Sequence, residues 1–272
     1  NDLPTGALTI SGATKKGSTL TLDSSTVEDE DGLGAFTISW LRDGEVITGA
    51  NSSSYDLTID DVEKSITSKV SYSDGHGSSE VLTSLPTDTV GEAEFTVTSD
   101  VIMRDGSTIS DVDVVLSDET NSSSYKSAAN GSVSGELASG SASTVTGSLA
   151  YSSSTKAVSS QDALDALKLS LGLTTSAGTK TAFEYLAADF NQDGKVSSQD
   201  ALSILKYSVG LTTPEQAKWI FLNTDGDYSG VSKSNTSYTE GVSIADLSAD
   251  ISVSLTGILI GDVNDSYSGL IA

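Results

Sequence analysis

Residues 158–173 return at 196–211 with a constant offset of 38, and twelve of the sixteen positions are identical. A repeat this close imposes two copies of one local structure, whatever surrounds them. Leading into the second copy and overlapping its start stand Asp189, Asn191, Asp193, Gly194, Lys195, Ser197 and Asp200. Side-chain oxygens thus recur at positions 1, 3 and 5 of a twelve-residue run, a glycine permits the sharp turn at 6, the Lys195 carbonyl serves at 7, Ser197 at 9, and an acid stands at 12. Alternate residues of a tightly turned loop aim their oxygens at one centre, and calcium takes roughly six to eight oxygens at about 2.3–2.6 Å. The spacing predicts a calcium loop running into a helix. The plain alternative is an Asx-rich surface turn ahead of a helix.

In each copy apolar residues follow at helical spacing: Ala163, Leu164, Leu167 and Leu171, then Ala201, Leu202, Leu205 and Val209. Each helix is expected to bury that face, most simply against the other. Asp rather than Glu at loop position 12, Val196 at position 8 and the helix behind them resemble the dockerin calcium-loop-and-helix repeat, which occurs in pairs. The resemblance implies calcium as cofactor. It also implies a cohesin-like partner, met by Ser160, Gln161 and Lys168 and by their repeat mates Ser198, Gln199 and Lys206. The same Ser and Gln residues equally suit helix starts, with Ser197 as N-cap and Asp200 three residues on.

The first copy lacks its front half. An offset of 38 puts those ligands at Tyr151, Ser153 and Thr155, side chains too poor in charge to hold calcium. The spacing of positions 1, 3 and 5 reappears near the C-terminus as Asp262, Asn264 and Ser266, with no helix behind it. These three are expected to meet the Ala157 carbonyl and Asp162 in a discontinuous second calcium site, clipping the last strand to the first helix. The alternative is an ordinary Asx turn. Asp225 and Asp227 offer either a further ion site or a plain Asp-Gly turn.

Around the repeats the chain reads as β structure. Short alternating runs at 7–10, 19–22, 36–41, 54–59, 66–72 and 80–83 are separated by turn signals. Trp40 falls where an immunoglobulin-like sandwich buries its strand-C tryptophan, and Tyr72 where the late-strand tyrosine falls. With Pro4 to Ile10 and the Glu28 to Gly34 stretch, this resembles the tandem immunoglobulin-like repeats of giant bacterial RTX-type adhesins, extenders often rigidified by calcium. The resemblance makes Asp29, Asp31 and Asp74 candidate ligands of another ion, although an acidic loop is also simply a solvated one. A second set of strands is expected at 93–98, 112–116, 132–137 and 145–151, and strand character returns at 218–223 and 244–260.

The expected fold is mainly β with a small α insertion. An immunoglobulin-like β-sandwich (1–90) precedes a second β-sandwich (91–150 and 219–272) carrying a dockerin-like pair of calcium-loop helices (151–218). A β-module joined to such a pair resembles the X-module and dockerin pairs of cellulosomal proteins. It also resembles a module of secreted bacterial proteins that closes on Gly-Asp-Val-Asn, here spanning 93–268.

Charge narrows the function. With 14 Lys and Arg against 38 Asp and Glu, the net charge of -24 offers no basic footprint for nucleic acid or an anionic membrane surface. No apolar stretch is long enough to span a membrane, and without cysteine there is no disulfide framework. Neither an initiator Met nor a signal peptide opens the chain, so an excised segment of something longer is expected. Catalysis is not expected: the lone His76 stands in a loop with no nucleophile motif beside it, and two tryptophans make no obvious sugar platform. The favoured reading is a calcium-rigidified structural or adhesive segment of a secreted bacterial surface protein, monomeric and flanked by other domains of the same chain. The alternative is a docking module for a cohesin-like domain.

Overall fold

The computed structural model describes residues 1–119, 121–140, 142–152 and 156–267; Ser153, Thr155 and Ser268 lie outside the described residues. The protein is mainly β, with few helices and several sheets. It divides into two units, Asn1–Glu94 and Phe95–Ala272.

In the first unit, alternation of apolar and polar residues sets two antiparallel sheets. One runs β1 (Thr9–Ser11), β2 (Thr19–Asp23), β5 (Ser54–Asp56). The other runs β4 (Glu45–Val46), β3 (Thr37–Arg42), β6 (Ile66–Ser73), β7 (Ser79–Thr83). Leu20 and Leu22 from the first sheet share one core with Trp40, Ile66 and Val70 from the second, the layout of a β-sandwich. Trp40 is fully buried, stacks on Tyr55 at 5.7 Å between ring centroids, and donates its indole N–H to the Ser52 carbonyl at 2.9 Å. The β3–β4 hairpin turns on Asp43 and Gly44, with φ of 46° and 86°. Two successive positive φ values are what a tight hairpin demands, and Asp-Gly supplies them.

The second unit places β10 (Ser122–Lys126), β9 (Asp113–Ser117), β12 (Ser143–Ser148) and β14 (Val242–Ile244) in one sheet. Its other sheet runs β11 (Ser132–Ala138), β8 (Glu94–Ile102), β15 (Ile251–Leu259), β13 (Trp219–Asn223). The strands that follow the helices therefore complete both sheets. β15 enters between β8, which it pairs in parallel, and β13, which it pairs antiparallel.

Between the sheet segments lie α1 (Ser160–Ser170), α2 (Ala182–Ala188) and α3 (Ser198–Ser208). Ser159 and Ser197 cap α1 and α3, each reciprocated by an acid three residues on, Asp162 and Asp200. The expected helix faces hold at Ala163 and Ala201, which are buried, and need correction elsewhere. Leu164, Leu167, Leu171, Leu202, Leu205 and Val209 are exposed, 39% or more. The buried stripes are Ala163, Ala166 and Leu169 on α1 and Ala201 and Ile204 on α3. Each helix has a wide apolar arc, and its small alanines allow the closer approach that puts Leu169 and Ile204 into the same core as the sheets. The outer leucines are left on the surface.

Candidate metal centre

The 189–200 loop is built around two buried carboxylates. Asp189 Oδ1 accepts the Asp193 N–H at 3.2 Å, and its Oδ2 accepts the Gly194 N–H at 3.1 Å and the Thr236 hydroxyl. Asp200 takes the Asn191 N–H at 3.2 Å on Oδ1 and, on Oδ2, the Ser197 N–H and hydroxyl, both at 2.9 Å. The Asn191 side-chain oxygen accepts the Asp193 N–H at 3.0 Å, and Asp193 Oδ1 accepts the Lys195 N–H at 3.2 Å. The chain turns through left-handed φ values of 55° at Gln192 and 90° at Gly194. Glycine fits the second without steric cost.

The connection between β13 and β14 lies over this loop, a contribution invisible in the spacing of the motif. The Thr236 N–H donates to the Gly194 carbonyl at 3.0 Å, the Val196 N–H to the Lys233 carbonyl at 2.7 Å, and Gln192 Nε2 to the Tyr238 hydroxyl at 2.9 Å. Thr236 itself is buried. Burial pushes the Asp189 carboxyl above the ordinary carboxylate range, with the Asp200 and Asp193 charges adding to the rise, against the hydrogen bonds from Thr236 and Gly194.

The C-terminal residues meet the start of α1. The Asn264 N–H donates to Asp162 Oδ1 at 3.0 Å, and the Ser266 hydroxyl to the Ala157 carbonyl at 3.0 Å. Asp262 accepts the Ser266 N–H at 2.8 Å on Oδ1 and the Tyr267 N–H at 2.9 Å on Oδ2. Asp162 and Asp262 are buried to 0% and 1% exposure. Burial raises Asp162 and pushes Asp262 up to about 6, where the hydrogen bond from Ser266 opposes it and the neighbouring Asp162 charge reinforces it. Arg104, just past β8, donates to the Asp262 carbonyl at 2.7 Å and the Val263 carbonyl at 3.4 Å, and pairs with Asp265 at 2.9 Å. Nothing in the sequence singled Arg104 out.

Buried carboxylates are ordinarily paired with a cation or bound to a metal. Among the described residues no ion pair reaches Asp162, Asp189, Asp200 or Asp262; Lys195 pairs with Asp193 at 3.7 Å and Arg104 with Asp265. Nor is any group of three or more His, Cys, Asp or Glu gathered, among those residues, so as to hold a metal. Any ion here would draw on amide, hydroxyl and main-chain oxygens beside the carboxylates, the donor chemistry of a hard cation. The Asn264 side-chain oxygen fits that requirement: it is buried and, among the described residues, has no hydrogen-bond partner.

The remaining candidates are dispersed. Ser160, Gln161, Ser198, Gln199 and Lys206 are exposed or half-buried, and Lys168 pairs with Asp165 at 3.2 Å. Leu164, Leu167, Leu202 and Leu205 line a groove of about 350 Å³ beside them. Asp225 and Asp227 stand exposed in turns, where Asp227 accepts the Ser229 N–H at 2.9 Å. In the first unit, Asp29 accepts the Tyr72 hydroxyl at 2.6 Å, and Asp31 faces His76 Nδ1 at 2.8 Å. Asp74 there accepts the His76 and Ser78 N–H groups at 2.9 and 2.7 Å.

No protein-family model matches the sequence, and no curated protein matches it. Among solved structures it is similar to the major pilin subunit of Bacillus cereus, BcpA, in two crystal structures, one of a variant. Identities are 10% and 9%, and both TM-scores are 0.23. The likeness covers 52% of this chain and 58% of the pilin, so the chain spans little more than half the pilin's length. A likeness at that TM-score bears on neither mechanism nor partner. Among the described residues no helix is long and apolar enough to cross a membrane.

Proposed function

We propose that this chain is a non-catalytic, calcium-binding structural segment of a large secreted bacterial surface protein, with the ion held by the 189–200 loop. The observation that carries it is the pair of carboxylates, Asp189 and Asp200, buried to 5% and 0% exposure and, among the described residues, without an ion pair to either, Lys195 pairing with Asp193 instead. Folding forces these charges together out of water. Calcium turns that repulsion into attraction and stabilises the folded state by mass action. Asp189, Asn191, Asp193, the Lys195 carbonyl, Ser197 and Asp200 are the ligands assigned. Extracellular sites of this kind have dissociation constants of roughly 10⁻⁴–10⁻³ M, matched to calcium outside a cell. An immunoglobulin-like first unit supports an extender role: β1-β2-β5 stands opposite β4-β3-β6-β7, with Trp40 buried on β3.

Calorimetric titration of the calcium-stripped chain, with thermal melts in calcium and in chelator, tests the reading. At least one ion and a raised melting temperature are expected, with one ion lost in Asp193→Ala. A chain that binds no calcium at millimolar concentration, or melts identically in chelator, overturns it.

A second reading, docking to a cohesin-like domain, is favoured by one observation: the exposed leucines of α1 and α3 and the groove between them. A pull-down against cohesin domains decides it, with capture lost in Leu167→Glu and Leu205→Glu. A spacer captures none.

A further inference from the structure

The two loops have the same main-chain layout although one of them is made from distant pieces. The Asn264 N–H to Asp162 bond, at 3.0 Å, answers the Asn191 N–H to Asp200 bond at 3.2 Å. The Ser266 and Tyr267 N–H groups meet Asp262 as the Asp193 and Gly194 N–H groups meet Asp189. Left-handed φ recurs at equivalent places: 58° at Asp265 for 55° at Gln192, and 53° at Lys156 for 90° at Gly194. Lys156 takes the glycine's place on the other segment.

One difference points to a ligand. The Asn191 oxygen is satisfied by the Asp193 N–H, whereas the Asn264 oxygen is buried and accepts no hydrogen bond from any of the described residues. Leaving such an atom unpaired is costly unless something absent from the protein chain meets it. Two carboxylates, Asp162 and Asp262, are buried beside it, and among the described residues neither forms an ion pair, Arg104 pairing with Asp265.

We propose that Asp262, Asn264 and Ser266 join the Ala157 carbonyl and Asp162 in a second site for a hard divalent cation, calcium, which exists only while the C-terminal segment is docked on α1. Arg104 positions it. Its guanidinium holds the Asp262 and Val263 carbonyls and the Asp265 carboxylate, fixing the tail without occupying the oxygens that would meet the ion. Five protein donors fall short of the roughly six to eight that calcium takes, and water supplies the remainder. The inference shares with the preceding proposal the premise that this chain uses calcium, but it stands on different residues.

The test is calcium calorimetry on the full chain, wild type against Asn264→Ala and, separately, Asp193→Ala. The Asn264 oxygen accepts no hydrogen bond from the described residues, while the main-chain N–H that holds Asp162 is kept in Asn264→Ala. Asn264→Ala is expected to lose one ion, or to weaken it at least about tenfold, and to show less slowing of hydrogen exchange across 262–267 when calcium is added. Unchanged stoichiometry and affinity overturn the proposal. Should Asn264→Ala not fold, Ser266→Ala, at an exposed residue, is read by the same criteria. If Asp193→Ala loses an ion and Asn264→Ala does not, the loop reading stands and this one falls. With the opposite pattern, the split site stands and the loop reading falls.

Discussion

The main-chain amide of Asn264 donates to Asp162 across 102 residues of chain, while Asn191 donates to Asp200 across 9, at 3.0 and 3.2 Å. Locally and at long range, the same helix-capping acid organises the same turn. Each also accepts the N–H and hydroxyl of the serine three residues before it. Asp162→Ala and Asp200→Ala are therefore expected to cost similar amounts, about 1–3 kcal/mol each without calcium. Urea denaturation in chelator measures this. A cost at only one position would mean the equivalence is geometric and not energetic.

Arg104 should matter more than its isolation in sequence suggests. Its side chain is 8% exposed and satisfies two carbonyls and a carboxylate. Arg104→Met keeps much of the packing and removes the donors, and should destabilise the second unit by about 2–3 kcal/mol. The same urea experiment, followed by Trp219, which is buried in β13, reads it.

In the first unit the acid sensitivity should reside in Asp61. Burial alone would raise this carboxyl, but the hydrogen bonds from Arg42, the Thr58 N–H and hydroxyl, and Tyr55 outweigh it and hold the pKa below the usual carboxylate range. A folded-state pKa below the unfolded one gives stability that is present above the unfolded value, about 3.9, and is lost as pH falls through the folded value. Stability of this unit should therefore drop below about pH 4, and Asp61→Asn should flatten that slope while lowering the plateau. A pH series of urea midpoints followed through Trp40 checks both.

Gly147 on β12 lets the two sheets of the second unit approach. A Cβ there would lie 2.7 Å from Phe221 Cγ and 3.0 Å from its Cβ. Gly147→Ala should cost about 1–3 kcal/mol through overpacking. Phe221→Leu in the same chain should recover part of that cost.

What the sequence discloses depends on how local the cause is. Periodicity marks β2, β3 and β6, because Leu20, Trp40 and Val70 alternate with more exposed neighbours, and the 38-residue repeat marks α1 and α3. Strand β10, Ser-Ser-Ser-Tyr-Lys, is missing from the expected strands because an exposed strand needs little apolar content. Helix α2 escapes notice for the opposite reason: a short run buried from Glu184 to Ala188 shows no polar face to set a period. The helix faces misled only in part: Ala163 and Ala201 are buried as expected, but each buried stripe continues through Ala166 and Leu169 or through Ile204, and the leucines weighed most heavily fall on the outer side. Oxygen spacing nominates the loop residues, including the pieces at 157–162 and 262–266, since the half missing from one place reappears in another. Thr236 and Arg104 carry no such mark. Their partners are 47 and 158 residues away and become neighbours only through the sheets.

The parallel pairing of β15 with β8 has a mechanical consequence. Val97 to Ile102 lie in register with Ile251 to Thr256, and the two strands run the same way in the middle of one sheet. Tension applied between the start of β8 and the end of β15 pulls neighbouring strands past each other lengthwise. The hydrogen bonds of that ladder then share the load together; in a hairpin pulled open at its ends they would break one at a time. Single-molecule stretching between residues 94 and 260 should meet one abrupt high-force rupture, and a gradual low-force extension would contradict the shear geometry. A domain wired in this way resists being drawn out along its own chain.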